Sequence, residues 1–219
     1  MGRDLLLPSC DEKTTNPLEI YNFEKSFGES FWGELERFVS TDFKRCGPFV
    51  DSMFTKLDRS DATNKRKILH LTLLHFIVLF TQKVKNTKIY KFKPGVTMSD
   101  LAEELRMPPV ILFGIFNQFG VKSPDSNNYL FSKQLFEKRT IFTLLLILVG
   151  AKDTSSGSKS KKISISDCRQ LLSTIQVEAK DAGDLMRMAG CNLKRGANSV
   201  ALSLSAPVQF PQLSRGRGK

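Results

Sequence analysis

The chain has 219 residues, of which 41% are hydrophobic and 10% aromatic, so it is large and apolar enough to fold around a core. This composition excludes a wholly disordered chain. The 33 Lys and Arg residues outnumber the 22 Asp and Glu residues, and the resulting formal charge of +11 makes a polyanion the first partner to consider.

The placement of charged, cysteine and apolar residues narrows the class of protein further. Residues 1–60 carry 8 basic and 11 acidic side chains, whereas residues 61–219 carry 25 basic and 11 acidic ones. The four cysteines form no CxxC pair, which argues against a zinc site or a disulfide framework and favours a reducing compartment. The longest apolar run, residues 68–80, is shorter than the roughly 20 residues of a bilayer helix, so no membrane span is predicted. The first residues lack the apolar stretch of a signal peptide, so we expect the protein in the cytosol or nucleus.

Residues 1–60 are predicted to form a linker arm with short helices. Pro8 and Pro17 flank polar sequence, which predicts an extended arm over residues 1–25 that is able to lie along another surface. Apolar residues at helical spacing predict two amphipathic helices after it, at residues 29–39 and 48–57.

Residues 61–133 are predicted to form a winged helix. Asp61 or Thr63 is expected to cap a long apolar helix that ends near Lys85 and is followed by a lysine-rich connector. A short helix from Thr97, a break at Pro108 and Pro109, a helix over residues 110–119 and a two-stranded hairpin, residues 121–122 and 129–131, complete the unit. A helix, a helix-turn-helix and a hairpin in this order are typical of a winged helix.

Residues 134–205 repeat this order and are predicted to form a second winged helix. A shift of about 67 residues aligns Ser99-Asp100 with Ser166-Asp167. The predicted elements are helices at 135–149, 165–175 and 178–189, a basic loop at 154–162, and strands at 191–195 and 199–205. The tail, residues 206–219, is polar and glycine-rich and is expected to be disordered. The predicted fold class is therefore mainly α with small β wings, a tandem winged helix preceded by an extended and helical linker.

The sequence contains no pattern typical of a catalytic or metal site. His70 and His75 are five residues apart among Leu and Phe, so they point to different faces of one helix and are interpreted as core histidines. The glycines are isolated and form no phosphate-binding loop. We therefore predict a protein that is not an enzyme and has no cofactor, no metal and no small-molecule substrate.

Basic residues lie where winged helices approach nucleic acid, and we predict double-stranded DNA as a partner. Each neutralised phosphate releases counterions, so binding through such residues should weaken steeply with salt. A basic face that serves solubility alone is the alternative interpretation. The candidate DNA-binding residues lie in the wings, the basic loop, the second recognition helix and the tail: Lys122, Lys133, Lys159, Lys161, Lys162, Lys180, Arg187, Lys194, Arg195, Arg215 and Arg217.

The two candidate recognition helices argue against reading of base sequence. The helix over residues 110–119 offers only Asn117 and Gln118 as base readers and is typical of a core or docking helix, in which an exposed Phe113 or Phe116 would suit a protein partner. The second helix offers Lys180 and Arg187, but its acidic residues Glu178, Asp181 and Asp184 oppose entry into a phosphate-lined groove. Contacts to the DNA backbone are therefore favoured. A protein-interaction module and a sequence-specific regulator remain alternatives.

Three segments resemble one known family along nearly the whole chain. They are Leu-Pro-Ser-Cys at residues 7–10 with Asn-Pro-Leu-Glu-Ile-Tyr-Asn-Phe-Glu at 16–24, Asp-Leu-Ala-Glu-Glu-Leu at 100–105, and the ending Pro-Val-Gln-Phe-Pro-Gln-Leu-Ser-Arg-Gly-Arg-Gly at 207–218. In this order they resemble the C-terminal part of the RNA polymerase I subunit that is related to the beta subunit of TFIIE, the polymerase-associated factor family.

The resemblance implies a non-catalytic subunit in the nucleus and nucleolus whose tandem winged helix binds DNA near the polymerase cleft. It also implies support of ribosomal RNA initiation and elongation, other RNA polymerase I subunits as partners, and an N-terminal arm that acts as a linker across the polymerase. Family members carry a further N-terminal β-rich dimerisation module. Nothing in this sequence resembles that module, so we expect a fragment or a shortened member and do not carry the dimerisation over.

Overall fold

The computed structural model describes residues 5–41, 48–58, 61, 64–85, 87–150, 160–195 and 200–211. This part of the chain is mainly α-helical with small antiparallel sheets, which confirms the predicted fold class at that level. The structure is organised around two long helices, each followed by shorter helices and a three-stranded sheet.

The N-terminal segment folds back on the protein instead of extending away from it. Strands β1 (Ser9–Cys10) and β2 (Tyr21–Asn22) pair in antiparallel fashion, and Ile20, Tyr21 and Phe23 are fully buried. The hydroxyl of Tyr21 donates a hydrogen bond of 2.5 Å to the carbonyl oxygen of Ala189. The predicted extended arm along another surface is therefore wrong for residues 5–25, because the segment buries its large apolar side chains against its own chain.

Three helices follow, and two of them confirm the predicted amphipathic pair. The model has α1 (Glu24–Phe27), α2 (Glu29–Thr41) and α3 (Pro48–Phe54). In α2 the apolar face formed by Phe31, Trp32 and Leu35 is buried. The short α1 was not predicted.

The next six elements contain the long helix and sheet of the first half. They are α4 (Lys65–Val84), β3 (Ile89–Tyr90), α5 (Met98–Glu104), α6 (Pro109–Phe119), β4 (Val121–Lys122) and β5 (Tyr129–Leu130). The strands pair in the order β3-β5-β4. Two predictions are corrected: α4 begins after Asn64, which forms no side-chain cap, so Asp61 is not the cap, and the lysine-rich connector contains strand β3. Thr63 lies outside the described residues.

The last six elements repeat the same order. They are α7 (Lys133–Gly150), β6 (Ser160–Ser164), α8 (Arg169–Thr174), α9 (Ala179–Met188), β7 (Asn192–Arg195) and β8 (Val200–Ser205). Their strands pair as β6-β8-β7, which matches the first sheet in topology. The predicted repeat of element order is confirmed. The predicted basic loop is corrected at its end, because residues 160–162 belong to β6.

The two long helices α4 and α7 pack against each other and form the centre of the core. A Cβ atom at Gly150 would lie 2.6 Å from Cδ2 of Leu71, so the glycine allows this close approach. By length and composition alone, α4 could also cross a membrane. No membrane span was predicted from the sequence, because the apolar run at residues 68–80 is short. Of the most apolar 18-residue stretch of α4, however, 67% is buried inside the protein, as expected of a core helix.

The described beginning of the tail is packed. Val208 is buried, and a Cβ atom at Gly190 would lie 2.4 Å from Cγ2 of Val208 and 3.3 Å from Cε1 of Phe210. Gly190 has a φ of +71°, a conformation that favours glycine. The prediction of a disordered tail is therefore wrong for residues 206–211, and residues 212–219 lie outside the described part of the chain.

Candidate nucleic-acid interface

The outer face of the second sheet is small, polar and basic. Because side chains alternate along a strand, the register places Lys162, Ser203 and Asn192 in one row across the sheet and Ser164, Ala201 and Lys194 in the next row. Lys162, Lys194 and Asn192 are exposed. The three strands contain no Asp or Glu. This face therefore offers two exposed lysines on opposite edge strands and the exposed amide of Asn192, whereas Ser203 on the central strand is only 8% exposed.

Strand β8 explains why this face is polar while the opposite face is apolar. Its sequence, Val-Ala-Leu-Ser-Leu-Ser, alternates in type, and Leu202 and Leu204 are fully buried toward the core. The intervening positions are therefore turned outward. The alternation of Val200, Leu202 and Leu204 is visible in the sequence, but Ser203 and Asn192 were not among the predicted site residues.

Lys161 does not belong to the outer face. It pairs with Leu204 on the core-facing side of the sheet and is only 4% exposed. Burial, together with the charge of nearby Lys67, lowers the pKa of Lys161 to about 8. The prediction of Lys161 as a DNA-binding residue is therefore wrong, because strand alternation turns its side chain away from its exposed neighbour Lys162.

Helix α9 presents mixed charges. Lys180 and Arg187 are both exposed, as the prediction requires, but Glu178, Asp181 and Asp184 are exposed beside them. The guanidinium of Arg187 forms an ion pair of 3.2 Å with Asp184. An approaching phosphate therefore meets carboxylates on this helix as well as cations.

Lys122 and Lys133, two further candidate residues, precede the second sheet in the sequence and are not part of it. Lys122 is exposed in edge strand β4. Lys133 is 89% exposed at the start of α7 and lies 3.8 Å from the carboxylate of Glu137. Arg195 ends strand β7 opposite Val200. Lys159, Arg215 and Arg217 lie outside the described residues.

Helix α6 carries an exposed apolar face. Phe113 is 51% exposed and Val110 45%, whereas Phe116 is fully buried. Phe116 packs with its ring centroid 4.5 Å from that of Tyr129. Of the two predicted base readers, Asn117 is exposed and Gln118 is half-buried. The choice left open between Phe113 and Phe116 is thus decided, because only Phe113 is available to a partner.

The histidines occupy the core of the first half. His70 is 3% exposed and packs edge-on against Phe23, with ring centroids 5.1 Å apart. Its Nε2 lies 3.9 Å from Oε1 of Glu24, and burial lowers the pKa of His70 to about 4 despite that carboxylate. Burial also lowers the pKa of His75. The interpretation as a core histidine is confirmed for His70, whereas His75 is only half-buried.

Glu24 links the N-terminal segment to α4. Arg66 donates to both of its carboxylate oxygens at 3.0 and 3.1 Å. Burial alone would raise the pKa of Glu24, but the hydrogen bond and charge of Arg66, together with a backbone hydrogen bond and the nearby His70, lower that pKa. This ion pair is a contact between elements.

Within the described ranges, no group of three or more His, Cys, Asp or Glu side chains is arranged to hold a metal ion. Burial raises the pKa of Cys168 to about 11 and that of Cys191 to about 12, so both thiols are protonated at neutral pH. A search of protein-family models and of curated proteins gives no match to this chain.

Proposed function

We propose that the chain is a non-catalytic DNA-binding subunit of RNA polymerase I that supports ribosomal RNA initiation and elongation. The observation that carries the DNA-binding part is the outer face of the second sheet, where Lys162 and Lys194 are exposed and acidic residues are absent from the three strands. A surface of this kind attracts phosphate and does not repel it.

The proposed fold of each half is a winged helix. Both halves run in the order helix, strand, helix, helix, hairpin, and both sheets have the first strand beside the last. This order is the one expected of two winged helices in tandem, and it supports the assignment of β7 and β8 as the second wing. In this assignment α6 and α9 are the recognition helices.

Backbone contacts without base reading follow from the chemistry of these helices. The exposed side chains of α6 include Val110 and Phe113, which cannot pair with base edges. On α9 the carboxylates oppose a phosphate-lined groove. The lysine ammonium groups and the Asn192 amide of the second sheet are instead suited to phosphate oxygens, which carry no sequence information.

The assignment to RNA polymerase I rests on the sequence resemblance. It implies a location in the nucleolus and other polymerase I subunits as partners. Epitope tagging of the endogenous protein, followed by affinity purification, tests this assignment: polymerase I subunits should co-purify at constant ratio. Their absence from the purified material would remove the polymerase assignment and leave DNA binding to be judged separately.

DNA binding is tested by fluorescence anisotropy with two duplexes of unrelated sequence. We expect equal affinities for both and a linear fall of the logarithm of affinity with the logarithm of salt concentration. The double variant Lys162→Gln, Lys194→Gln should lose about tenfold in affinity and reduce the salt slope by about 2, since each phosphate contact contributes roughly 0.9. Lys56→Gln, which removes one charge at an exposed lysine that follows α3, is the control for the effect of net charge per lysine.

Two results would contradict this function. Binding that is absent or insensitive to salt would exclude backbone recognition. A loss in Lys56→Gln that is half of the loss in the double variant, on a logarithmic scale of affinity, would mean that net charge matters and that the second sheet does not.

A protein-docking module is the second candidate function, and the exposed Phe113 and Val110 on α6 favour it. In that case Phe113→Ser should abolish assembly with polymerase subunits while the Lys162 and Lys194 variant assembles and supports transcription normally. A sequence-specific regulator is the third alternative. It requires strong preference for one duplex sequence in the same anisotropy measurement.

A further inference from the structure

The outer face of the first sheet carries a row of exposed apolar side chains. The register aligns Ile89, Leu130 and Val121 directly across strands β3, β5 and β4. They are 44%, 40% and 56% exposed, respectively. Side chains directly opposite each other in neighbouring strands are about 5 Å apart, so the three form one continuous apolar stripe.

The inner face of the same sheet shows that this row is not a remnant of the core. Tyr129 is 3% exposed and contacts the buried ring of Phe116, so the opposite side of the strands already covers the core. The three outer side chains therefore add nothing to that core. A contiguous exposed apolar group on a folded protein is typical of an interaction site.

The charge around this row specifies the partner. The segments 85–93 and 120–133 contain six lysines and a single acidic residue, Asp125 in the hairpin turn. Lys91 is exposed and lies two residues from Ile89, so strand alternation places it on the side of the row. Lys88 and Lys122 are exposed at the two edge strands, each one residue from a member of the row, so their side chains start from the other side of the sheet. Among the described residues, no ion pair engages these three lysines.

We propose that the apolar row Ile89, Leu130 and Val121, with Lys91 beside it and Lys88 and Lys122 at the two edges of the sheet, binds an acidic segment of a partner protein that carries apolar side chains. The apolar side chains of that segment cover the row, and its carboxylates pair with the lysines. Duplex DNA fits this face less well, because its phosphate-lined surface would leave the apolar row without apolar contacts. The site is separate from the DNA-binding face of the second sheet and does not depend on it.

The proposal is tested with the full chain and labelled peptides. Two short peptides of Leu and Glu serve as probes, one alternating and one with Leu at helical spacing. Matched peptides replace Glu by Lys, or Leu by Ser. Fluorescence anisotropy should show that at least one Leu–Glu peptide binds, about tenfold more tightly than both of its matched peptides.

Variants locate the binding site. The triple variant Ile89→Thr, Leu130→Thr, Val121→Thr keeps strand-forming residues and should lose about tenfold in peptide affinity. Lys88→Gln with Lys91→Gln should weaken binding at low salt and remove most of its salt dependence. Val110→Ala, which shortens an exposed apolar side chain on α6, is the matched control and should bind the peptide normally. Circular dichroism and urea denaturation establish that each variant is folded.

Several outcomes would overturn the proposal. Failure of both Leu–Glu peptides to bind the folded wild-type chain excludes the site, and equal binding by the Leu–Lys peptide excludes the role of the lysines. A loss in Val110→Ala equal to that in the triple variant moves the site to α6. Loss of duplex binding in the triple variant identifies the first sheet as a nucleic-acid surface. That last result is distinguishable from failure of the proposed function, in which the wild-type chain does not bind duplexes.

Discussion

The two three-stranded sheets have the same strand order but opposite surface chemistry. The first presents Ile89, Leu130 and Val121 in one outer row, and the second presents Lys162 and Asn192 on either side of the buried Ser203. In both sheets the inner side covers a core, so stability leaves the outer side chains unconstrained. The comparison teaches that a repeated topology constrains what is buried and leaves each copy able to acquire a different partner.

The buried positions of the repeat agree with this view. After a three-residue insertion in the second half the shift between the repeats becomes 70 residues, which matches Gly120 with Gly190 and Phe116 of α6 with Met186 of α9, and both of these side chains are fully buried. On the exposed side the same alignment matches Val110 with Lys180 and Asn117 with Arg187. Core positions are apolar in both halves, whereas surface positions differ in charge and polarity.

The largest expected effect comes from removing these equivalent core side chains. Phe116→Ala should lower the free energy of unfolding by about 4 kcal/mol and Met186→Ala by about 3 kcal/mol, through lost burial and the cavities left behind. Urea denaturation followed by circular dichroism measures both. Phe113→Ala is the control on the same helix and should cost less than about 1 kcal/mol, because the ring is half exposed. Equal costs for Phe113 and Phe116 would contradict the packing described for α6.

The second prediction concerns the pH dependence of stability, which should arise from histidine in the first half alone, because both histidines of the chain lie in α4. The pKa of His70 is about 4 when folded, against roughly 6.5 when unfolded, so between these values the unfolded chain binds a proton that the folded chain does not. Stability should therefore fall by about 3 kcal/mol as pH decreases from 6.5 to 4. His70→Phe should remove this part of the loss.

The charged groups next to His70 make their own contribution to the pH dependence, which has to be measured separately. Glu24 and Arg66 face His70, and the lowered pKa of Glu24 causes a further loss of stability at still lower pH, which remains in His70→Phe. Urea denaturation across this pH range distinguishes the two contributions. An unchanged pH dependence in His70→Phe would mean that other groups cause the acid sensitivity.

The third prediction places one carboxylate on each sheet. Asn192→Glu and Val121→Glu both add a negative charge to an exposed position of an edge strand. If only the second sheet contacts phosphate, Asn192→Glu should weaken duplex binding about tenfold and Val121→Glu about twofold at most, through net charge alone. Anisotropy at a single low salt concentration is sufficient. Equal losses of affinity in the two variants would contradict the proposal that only the second sheet contacts DNA.

The smallest effect concerns the short helices that follow the first strand of each sheet. In α5 the hydroxyl of Thr97 accepts from the amide of Asp100 at 3.2 Å, and the Asp100 carboxylate accepts from the amide of Thr97 at 2.7 Å. Helix α8 has no side-chain cap. Thr97→Ala should therefore cost about 1 kcal/mol, and Ser164→Ala, the aligned position, less than about 0.5 kcal/mol. Thermal denaturation compares the two, and equal costs would show that the capping box adds nothing to α5.

The prediction of elements from sequence succeeded where the signal was local. The periodicity of α2, the capping box of α5, and Pro109 with Gly120 around α6 all depend on neighbouring residues. Strand β3 was missed because it has two residues, and β6 because it begins inside a serine- and lysine-rich stretch. Both become strands only through pairing with β5 and β8, which lie about 40 residues later.

The candidate site was predicted in part. Lys162 and Lys194 were recognised from charge, and both are exposed on one face. Lys161 was included for the same reason and is buried, because its side depends on a strand that composition did not reveal. The row of Ile89, Leu130 and Val121 comes from three separate segments, so no window of sequence contains it.

The sequence alone determined which elements the chain contains and its charge: a basic chain, two long apolar helices, and an order of elements that occurs twice. Such features depend on composition and short-range periodicity, which any segment carries by itself. Only the tertiary structure decided which side chains face outward. That choice depends on strand register and on contacts between distant segments, such as the Tyr21 hydroxyl with the Ala189 carbonyl, and it separates an apolar sheet from a basic one.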